Sequence, residues 1–292
     1  MKQLAKALYH HLPFKKEFFQ FLKKLWIPPV SIYQHLHFAG VFQVKIDDTK
    51  SLKLKHYGYL IENEIFWTGI TGSWEKESLK LWIKLCKHAD VILDVGANTG
   101  VYSLIAKTVN PEAAVYAFEP INRVFAKLQD NIKLNNFDIT AIEKAVSNVD
   151  GSAIIYDAPT EHVYSATIYN KTTAKADAVR TKVNTVTLDS FIKEYKLETI
   201  SLLKIDVERH EPEVLEGFST YLKFFKPTIL IEVLDDEISS KINNLVQGLE
   251  YLYFSINEKE GIKRIDLIRK SESFNLLLCT QEIASMLGIV PE

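Results

Sequence analysis

The segment Asp94–Gly100 puts an acidic residue and two glycines where an apolar run gives way to a helical pattern. Its sequence, Asp-Val-Gly-Ala-Asn-Thr-Gly, follows the apolar residues Val91–Leu93. Glycine tolerates positive φ and lets the backbone come close to a ligand. Ligands of open α/β sheets bind beyond the carboxyl ends of the strands. The segment therefore predicts a cofactor-binding loop between a strand and a helix.

The chemistry of this loop favours one cofactor over another. A dinucleotide loop places a pyrophosphate on a helix N-terminus, and its G-x-G-x-x-G fingerprint needs a glycine two residues after Gly96, where Asn98 stands. S-adenosylmethionine has no phosphate, and Asp94 suits its ammonium group. Glu119 ends the next strand, where a carboxylate can accept hydrogen bonds from ribose hydroxyls. An NAD(P)-dependent oxidoreductase is the alternative enzyme.

The predicted cofactor-binding set extends beyond this loop. Residues at the end of the third strand are expected to contact the adenine, although a plain strand end would look the same. The complete set is Asp94, Gly96, Asn98, Thr99, Gly100, Glu119, Pro120, Ala145, Val146 and Asp206.

The densest group of titratable side chains follows the apolar strand Ile200–Ile205. Six ionisable residues fall within Lys204–Glu211. Such crowding can separate proton affinities and prepare one group to act as a general base, although a structural ion-pair network would give the same pattern. The catalytic candidates, in order of suitability as a base, are His210, Asp206 and Glu208. His210 comes first because the ordinary pKa of histidine is nearest 7, but a histidine in solvent at a helix N-terminus fits equally well.

Further side chains are expected around the acceptor substrate. Glu232 stands in an otherwise apolar strand, where an unpaired charge is unfavourable, so it should line the same cleft. The irregular polar segment 157–185 is a long insertion, and such insertions are often functional. The predicted substrate-contacting residues are Glu75, Glu211, Glu232 and Tyr164. The eight histidines are scattered and the carboxylates match no ligand spacing, so no metal is expected.

The elements that must position these residues alternate between strands and helices from Val91 to Gln247. This order predicts an α/β fold whose mostly parallel sheet is covered on both faces. Three strand-like segments after Tyr251 predict an antiparallel edge. We expect an N-terminal helical and short-strand extension over 1–72 and the main Rossmann-like domain over 73–292.

Residues 1–28 alternate apolar and basic side chains in two helical stretches separated by Pro13. We expect helices that pack on the domain as a lid, while contact with a membrane surface or a partner is the alternative. The net charge of −2 does not favour binding of the chain as a whole to nucleic acid. No apolar run approaches the ~20 residues of a membrane-spanning helix, and Lys15–Glu17 interrupt any signal-like segment. We expect a cytoplasmic protein, and the sequence predicts no particular oligomeric state.

These motifs resemble the FkbM family of S-adenosylmethionine-dependent methyltransferases. The resemblance runs from about Trp74 to Cys279 and is strongest from Val91 to Val233. The matching motifs are Asp94–Gly100, Tyr116–Pro120, Asn131, Leu134–Asn135, Ala145–Ser147, Val186–Phe191, Lys204–Glu208, Glu211, Val214–Leu215, Gly217, Pro227 and Ile229–Val233.

The resemblance implies a class I fold, with a seven-stranded, mostly parallel sheet and an antiparallel edge strand. It also implies O-methylation of a hydroxyl on a saccharide or secondary metabolite. The family usually has a glycine where Arg209 stands here, which weakens inference about the acceptor more than inference about the cofactor. The alternative to an enzyme is a non-catalytic protein that binds the cofactor or docks on a membrane.

Overall fold

Short apolar runs form the strands of a central sheet, and amphipathic segments form the helices that cover it. The computed structural model describes residues 14–157, 166–167, 179–270 and 274–289. The helices are α1 (Lys15–Leu25), α2 (Val30–Tyr33), α3 (Leu60–Thr68), α4 (Lys76–Cys86), α5 (Val101–Val109), α6 (Asn122–Asn135), α7 (Leu188–Tyr195), α8 (Glu211–Glu216), α9 (Ser219–Phe225), α10 (Asp236–Val246) and α11 (Gln281–Leu287).

The strands belong to three sheets. They are β1 (Gly40–Lys45), β2 (Ser51–His56), β3 (Val91–Val95), β4 (Ala114–Phe118), β5 (Ile139–Ile142), β6 (Ala145–Val146), β7 (Gly151–Asp157), β8 (Ala166–Thr167), β9 (Val179–Val186), β10 (Leu202–Ile205), β11 (Thr228–Glu232), β12 (Leu252–Asn257), β13 (Gly261–Ile265) and β14 (Asn275–Cys279).

The central sheet has the strand order β5-β4-β3-β10-β11-β14-β12-β13. The first five strands are parallel neighbours, while β14 is antiparallel to β11, and β12 and β13 follow with further antiparallel pairings. The predicted α/β class with a mostly parallel sheet and an antiparallel edge is confirmed. The sheet has eight strands, one more than the seven that the resemblance implies, because β13 adds to the outer side of β12 through a hairpin.

Register along the central strands explains why the site forms where it does. Lys204 on β10 lies directly opposite Asp94 on β3. On the other side of β10, Lys204 is opposite Leu230 on β11. Parallel strands end at the same edge, so the loops after Val95 and Ile205 leave the sheet side by side.

The N-terminal extension contains a β1–β2 hairpin and helices α1 to α3. The hairpin confirms the predicted short strands. The period-two spacing of Tyr57, Tyr59 and Ile61 in the sequence predicts a further strand, and this prediction is wrong. There Leu60–Thr68 is helical, since Ile65, Phe66 and Trp67 bury together in a helical arrangement. Buried side chains of the extension and the main domain form one continuous cluster. The boundary at residues 72 and 73 therefore stays a prediction.

A separate sheet has the order β6-β9-β7-β8, and its strands β8 and β9 come from the segment 157–185 that was predicted to be irregular. Strand β9 occupies Val179–Val186, so the last part of the predicted irregular segment is extended and paired with β7. Tyr164 lies outside the described residues. Across the described ranges, no helix is long and apolar enough to cross a bilayer.

Candidate functional site

A cleft of about 260 Å³ opens at the carboxyl ends of the central strands. Its walls come from the loops after β3, β4, β10 and β11 and from residues that precede α4. Twelve of the residues predicted from the sequence line it together: Glu75, Asp94, Gly96, Asn98, Thr99, Glu119, Pro120, Ala145, Val146, Asp206, Glu208 and Glu232. Residues far apart in the chain are thus gathered at one edge of the sheet.

The loop after β3 depends on a glycine because it runs against a neighbouring loop. Gly96 has a φ of 85°, and a Cβ placed on it would stand 1.8 Å from the carbonyl oxygen of Asp206. The amides of Gly96 and Ala97 both donate to the Phe118 carbonyl, at 3.0 and 2.8 Å. The loop is therefore clamped between β4 and the chain after β10, with no room for a side chain at position 96.

Asp94 is buried in the cleft wall, and only one of its two carboxylate oxygens has a hydrogen-bond partner among the described residues. Its Oδ2 accepts a hydrogen bond of 2.6 Å from the Ser103 hydroxyl. Within the described part of the chain, its Oδ1 has no hydrogen-bond partner. Burial raises the pKa of Asp94, while the Lys204 ammonium nearby lowers it. An unpaired oxygen at this place fits a ligand that brings a hydrogen-bond donor such as an ammonium group.

Glu119 is held at the end of β4 by two backbone amides. Its Oε2 accepts from the Asn98 amide at 3.1 Å, and its Oε1 accepts from the Ile121 amide at 2.9 Å. Burial raises the pKa of this carboxyl to about 7, despite the two hydrogen bonds that favour the charged form. Each oxygen retains a further lone pair, so the carboxylate can accept hydrogen bonds from a diol.

The affinity for S-adenosylmethionine is expected to depend on pH through Glu119. The ribose contact predicted for Glu119 uses the ionised carboxylate, so binding below pH 7 requires loss of a proton. The affinity should therefore fall as pH is lowered from 8 to 6, by at most about tenfold per unit below the pKa. Calorimetric titration of wild type and Glu119→Gln checks this. The variant should bind more weakly at pH 8 with a flatter profile, and an equally steep profile would contradict the assignment.

A network of charged and aromatic groups lines the cleft next to Asp94. Lys204, which is buried, donates from Nζ to Asp206 Oδ2 at 2.8 Å. The same ammonium lies 4.4 Å from the centre of the Tyr102 ring, and the Tyr102 hydroxyl donates to Glu75 Oε2 at 2.5 Å. Burial raises the pKa of Glu75, and Lys204 counteracts this shift. Lys204 thus binds Asp206 directly and lies close enough to Glu75 for its charge to act on that carboxyl.

Glu232 ends β11 beside this network. Burial, followed by the negative charges of Asp206 and Glu208, raises the pKa of Glu232 to about 10. At neutral pH its carboxyl therefore carries a proton and can donate a hydrogen bond into the cleft. This state makes Glu232 a poor general base but a suitable donor to an acceptor oxygen.

Three residues predicted for the site do not line the cleft. His210 is buried behind it, with Nε2 3.0 Å from the Ser147 hydroxyl and Nδ1 3.4 Å from Glu213. Burial lowers the pKa of His210. Glu211 instead holds the loop after β10, because its Oε1 accepts from the amides of Val207 and Arg209 at 3.2 and 3.1 Å.

Gly100 is the third of these residues, and it begins helix α5 with a φ of 92°. A Cβ there would come within 2.5 Å of Leu128 on α6. This glycine therefore permits close packing between the loop and a helix rather than contact with a ligand. Tyr164, the remaining predicted substrate residue, lies outside the described residues.

The backbone at Arg209 explains why the family usually has glycine at this position. Glu208 and Arg209 have φ values of 55° and 81°, a region that L side chains rarely adopt. The Arg209 guanidinium forms an ion pair with Asp235, which also caps α10 by accepting from the Ile238 amide at 2.9 Å. The side chain thus extends to the loop after β11.

Replacing Arg209 with glycine is expected to leave stability nearly unchanged. Glycine removes backbone strain of roughly 1–2 kcal/mol, and the substitution also removes a partly exposed ion pair worth at most about 1 kcal/mol. The free energy of unfolding of Arg209→Gly, measured with urea, should lie within about 1 kcal/mol of wild type. A larger loss would mean that the Arg209–Asp235 pair is a major support of the loop.

Sequence patterns missed several lining residues. The guanidinium of Arg123 forms two hydrogen bonds with Asp157, from Nε at 2.8 Å and from an Nη at 2.5 Å. Both residues line the cleft beside Glu119. One lies on α6 and the other ends β7, and no motif connects them. Tyr102 belongs to no motif either, since the helical spacing after Gly100 indicates only that the Tyr102 side chain faces inward.

Comparison with known proteins shows the family to which the chain is similar. The profile of the Methyltransferase FkbM domain matches residues 94–256, more than half of the chain. The hexuronic acid methyltransferase AglP of Haloferax volcanii is 26% identical, with 51% of this chain and 58% of that protein covered. The 31-O-demethyl-FK506 methyltransferase FkbM of Streptomyces tacrolimicus is 29% identical, with 45% and 60% covered.

A third relative, the methyltransferase sdnD of Sordaria araneosa, is 30% identical over 43% of this chain and 59% of that protein. The chain thus spans about three fifths of the length of these curated relatives. Among solved structures, a methyltransferase FkbM from Methylobacillus flagellatus aligns with a TM-score of 0.41 at 13% identity, covering 65% of this chain and 43% of that one.

Proposed function

Because this chain belongs to the family defined by the methyltransferase FkbM domain, we propose that it is an S-adenosylmethionine-dependent O-methyltransferase. The observation that carries the proposal is the cleft at the carboxyl edge of the sheet. There the buried acid Asp94, the tightly packed Gly96 and the ribose-accepting Glu119 adjoin a cluster of ionisable groups. A cofactor half and an acceptor half are thus present side by side.

The residues of the cofactor half fit S-adenosylmethionine. The unpaired oxygen of Asp94 can accept a hydrogen bond from the amino group. Glu119 can accept from the ribose, and the strand ends at Ala145 and Val146 can pack against the adenine. When bound, the cofactor supplies a methyl group already activated by its sulfonium. The protein therefore needs mainly to hold an acceptor oxygen in line with that methyl group, which supplies on the order of 7–11 kcal/mol in well-oriented model systems.

The acceptor half supplies the groups that a hydroxyl needs. A neutral hydroxyl is a weak nucleophile, so a carboxylate that accepts its proton speeds the reaction. Asp206 and Glu208 line the cleft, and we place them ahead of His210 because of that position. His210→Ala tests the histidine directly, since unchanged turnover would remove it from the candidates. Lys204 keeps Asp206 oriented, and protonated Glu232 can donate to a second acceptor oxygen.

The acceptor is proposed to be a small hydroxylated molecule, either a saccharide or a secondary metabolite. Two relatives have names that specify such acceptors, a hexuronic acid and 31-O-demethyl-FK506. Trp74 lies half-buried in the cleft wall, and an aromatic face can pack on a sugar ring. Peripheral membrane contact through the N-terminal helices is a separate proposal, because its residues lie outside the cleft.

The test combines donor binding with an acceptor screen. Calorimetric titration should detect binding of S-adenosylmethionine and no binding of NAD or NADP. Binding of a nicotinamide cofactor alone would favour the oxidoreductase alternative. Radiolabelled methyl donor is then incubated with saccharides and hydroxylated metabolites, and label should transfer to a hydroxyl. Donor binding without transfer to any hydroxylated compound would favour a non-catalytic protein. Turnover should be unchanged by a chelator if, as expected, no metal takes part.

A further inference from the structure

Half of the exposed large apolar side chains lie in one short part of the chain. Eight of the sixteen such side chains found in the described residues fall between positions 14 and 32. We call them the N-terminal apolar face: Phe14, Phe18, Phe21, Leu25, Trp26, Ile27, Val30 and Ile32. The other eight are dispersed through the rest of the sequence. Soluble surfaces tolerate single apolar side chains, whereas concentrated groups mark interaction sites.

The spacing of these residues places them on one side of α1. Phe14, Phe18, Phe21 and Leu25 follow one another at intervals of four, three and four residues, so they form a stripe along the helix. Each is at least 60% exposed. Trp26, directly after the helix, continues the exposed apolar surface. The stripe is therefore a feature of helix α1 and of the residues that flank it.

The other side of α1 is already occupied by the protein. The Phe19 ring is buried 5.5 Å from Trp67 and 6.5 Å from Phe38. Lys23 donates to the carbonyl of Phe66. The expected lid packing is thus made by one face of α1, which leaves the stripe on the opposite face. This helix is apolar on two sides, and packing within the described structure explains only one of them.

The charge of α1 indicates which kind of partner surface fits the stripe. The helix carries four lysines and one glutamate, a net charge of +3, although the whole chain is at −2. Self-association would place two such helices against each other, because a symmetric dimer uses the same patch on both subunits. Lysines flanking an apolar stripe suit a surface with apolar depth and negative headgroups. An anionic lipid bilayer has both properties.

We propose that the N-terminal apolar face docks this protein peripherally on anionic membranes. Phe18, Phe21 and Leu25 enter the boundary between headgroups and acyl chains, and Lys24, the exposed lysine of α1, lies at the level of the phosphates. Helix α1 packs against the second half of α3, and Ile61 in the first turn of α3 lines the cleft. Membrane docking and the cleft therefore share one supporting helix.

Vesicle binding by the full chain tests the proposal. The protein is sedimented with vesicles of phosphatidylcholine alone or of phosphatidylcholine and phosphatidylglycerol in equal amounts. Wild type should partition onto the anionic vesicles and should be released as salt is raised. The double variant Phe18→Gln/Phe21→Gln should partition at least about tenfold less, and Lys24→Glu at least about fivefold less. Circular dichroism should be unchanged, because these side chains face outward.

A second pair of exposed residues provides matched controls. Lys223 and Phe224 are adjacent and exposed on α9, so Lys223→Glu and Phe224→Gln make the same chemical changes elsewhere. Both should bind vesicles like wild type. Trp26 gives an optical signal, because it is 53% exposed while Trp67 and Trp82 are fully buried. Its fluorescence should shift to shorter wavelength on anionic vesicles, and Trp26→Phe should abolish most of that shift.

Several results would overturn the proposal. Wild-type protein that stays in the supernatant with anionic vesicles would show that the face does not dock on membranes. Equal binding to both vesicle types would refute the role of the lysines. Unimpaired binding by Phe18→Gln/Phe21→Gln would refute the role of the stripe. If light scattering shows a wild-type dimer that this double variant converts to monomer, and vesicles bind neither, then the face belongs to a second copy of the chain.

Discussion

Gly96→Ala is expected to weaken the binding of S-adenosylmethionine at least about a hundredfold. The new methyl group would lie 1.8 Å from the carbonyl oxygen of Asp206, and the residue would keep a φ of 85°. Both loops are held in place, since the amides of Gly96 and Ala97 donate to the Phe118 carbonyl and the amide of Asp206 donates to the Val95 carbonyl. The substitution therefore displaces Asp94 and Asp206 from each other, and calorimetric titration of the cofactor measures the result.

Gly248→Ala is the matched control for this prediction. Gly248 has a φ of 77°, close to that of Gly96, but a Cβ there would meet no atom within 4 Å. Both variants therefore place alanine in a left-handed conformation, and only one adds a steric clash. Gly248→Ala should lose some thermal stability and keep the affinity for cofactor. Equal affinities in the two glycine variants would show that backbone strain, and not the close approach at Asp206, is what matters.

Much of the cofactor half could be predicted because its requirements are local in sequence. A strand, a glycine-containing turn and a helix lie within residues 91–109, and each has a characteristic composition. The acid that ends the next strand follows from the same repeat. The register of β3 and β10 then brings Asp94 and Lys204 together. Strand order could be anticipated only through the resemblance, since composition does not specify which strands become neighbours.

The rest of the site depends on contacts that no local pattern encodes. His210 and Glu211 belong to the same charged run as Asp206, yet two consecutive residues with positive φ turn the chain between them. This turn sends His210 behind the cleft and makes Glu211 an acceptor for loop amides. The Arg123–Asp157 pair joins elements more than thirty residues apart. Amphipathic patterning indicates that α1 is helical, but the same pattern also fits burial of the stripe that the structure exposes.

The second large effect is expected from Asp206→Asn. This residue lines the cleft and accepts from Lys204 Nζ at 2.8 Å. Asparagine has nearly the same shape, but its amide is too weak a base to accept a proton from a hydroxyl, and it pairs less well with an ammonium ion. General-base removal lowers turnover by about 10²–10⁴-fold. The turnover number of Asp206→Asn, measured with saturating donor and the acceptor found by screening, should fall within that range.

The comparison with Glu208→Gln distinguishes the two carboxylates. Both line the cleft, but only Asp206 has a hydrogen bond to Lys204 among the described contacts. If Asp206 accepts the proton, Asp206→Asn should lower the turnover number far more than Glu208→Gln does. The donor affinity of Asp206→Asn should fall less than about tenfold, because the substitution leaves the cofactor contacts proposed for Asp94 and Glu119 unchanged. A turnover number within threefold of wild type, roughly the change expected from a conservative surface substitution, would exclude Asp206 as the base. A turnover loss matched by an equal loss of donor affinity would instead make Asp206 a cofactor-binding residue only, and Glu208 would become the base to test.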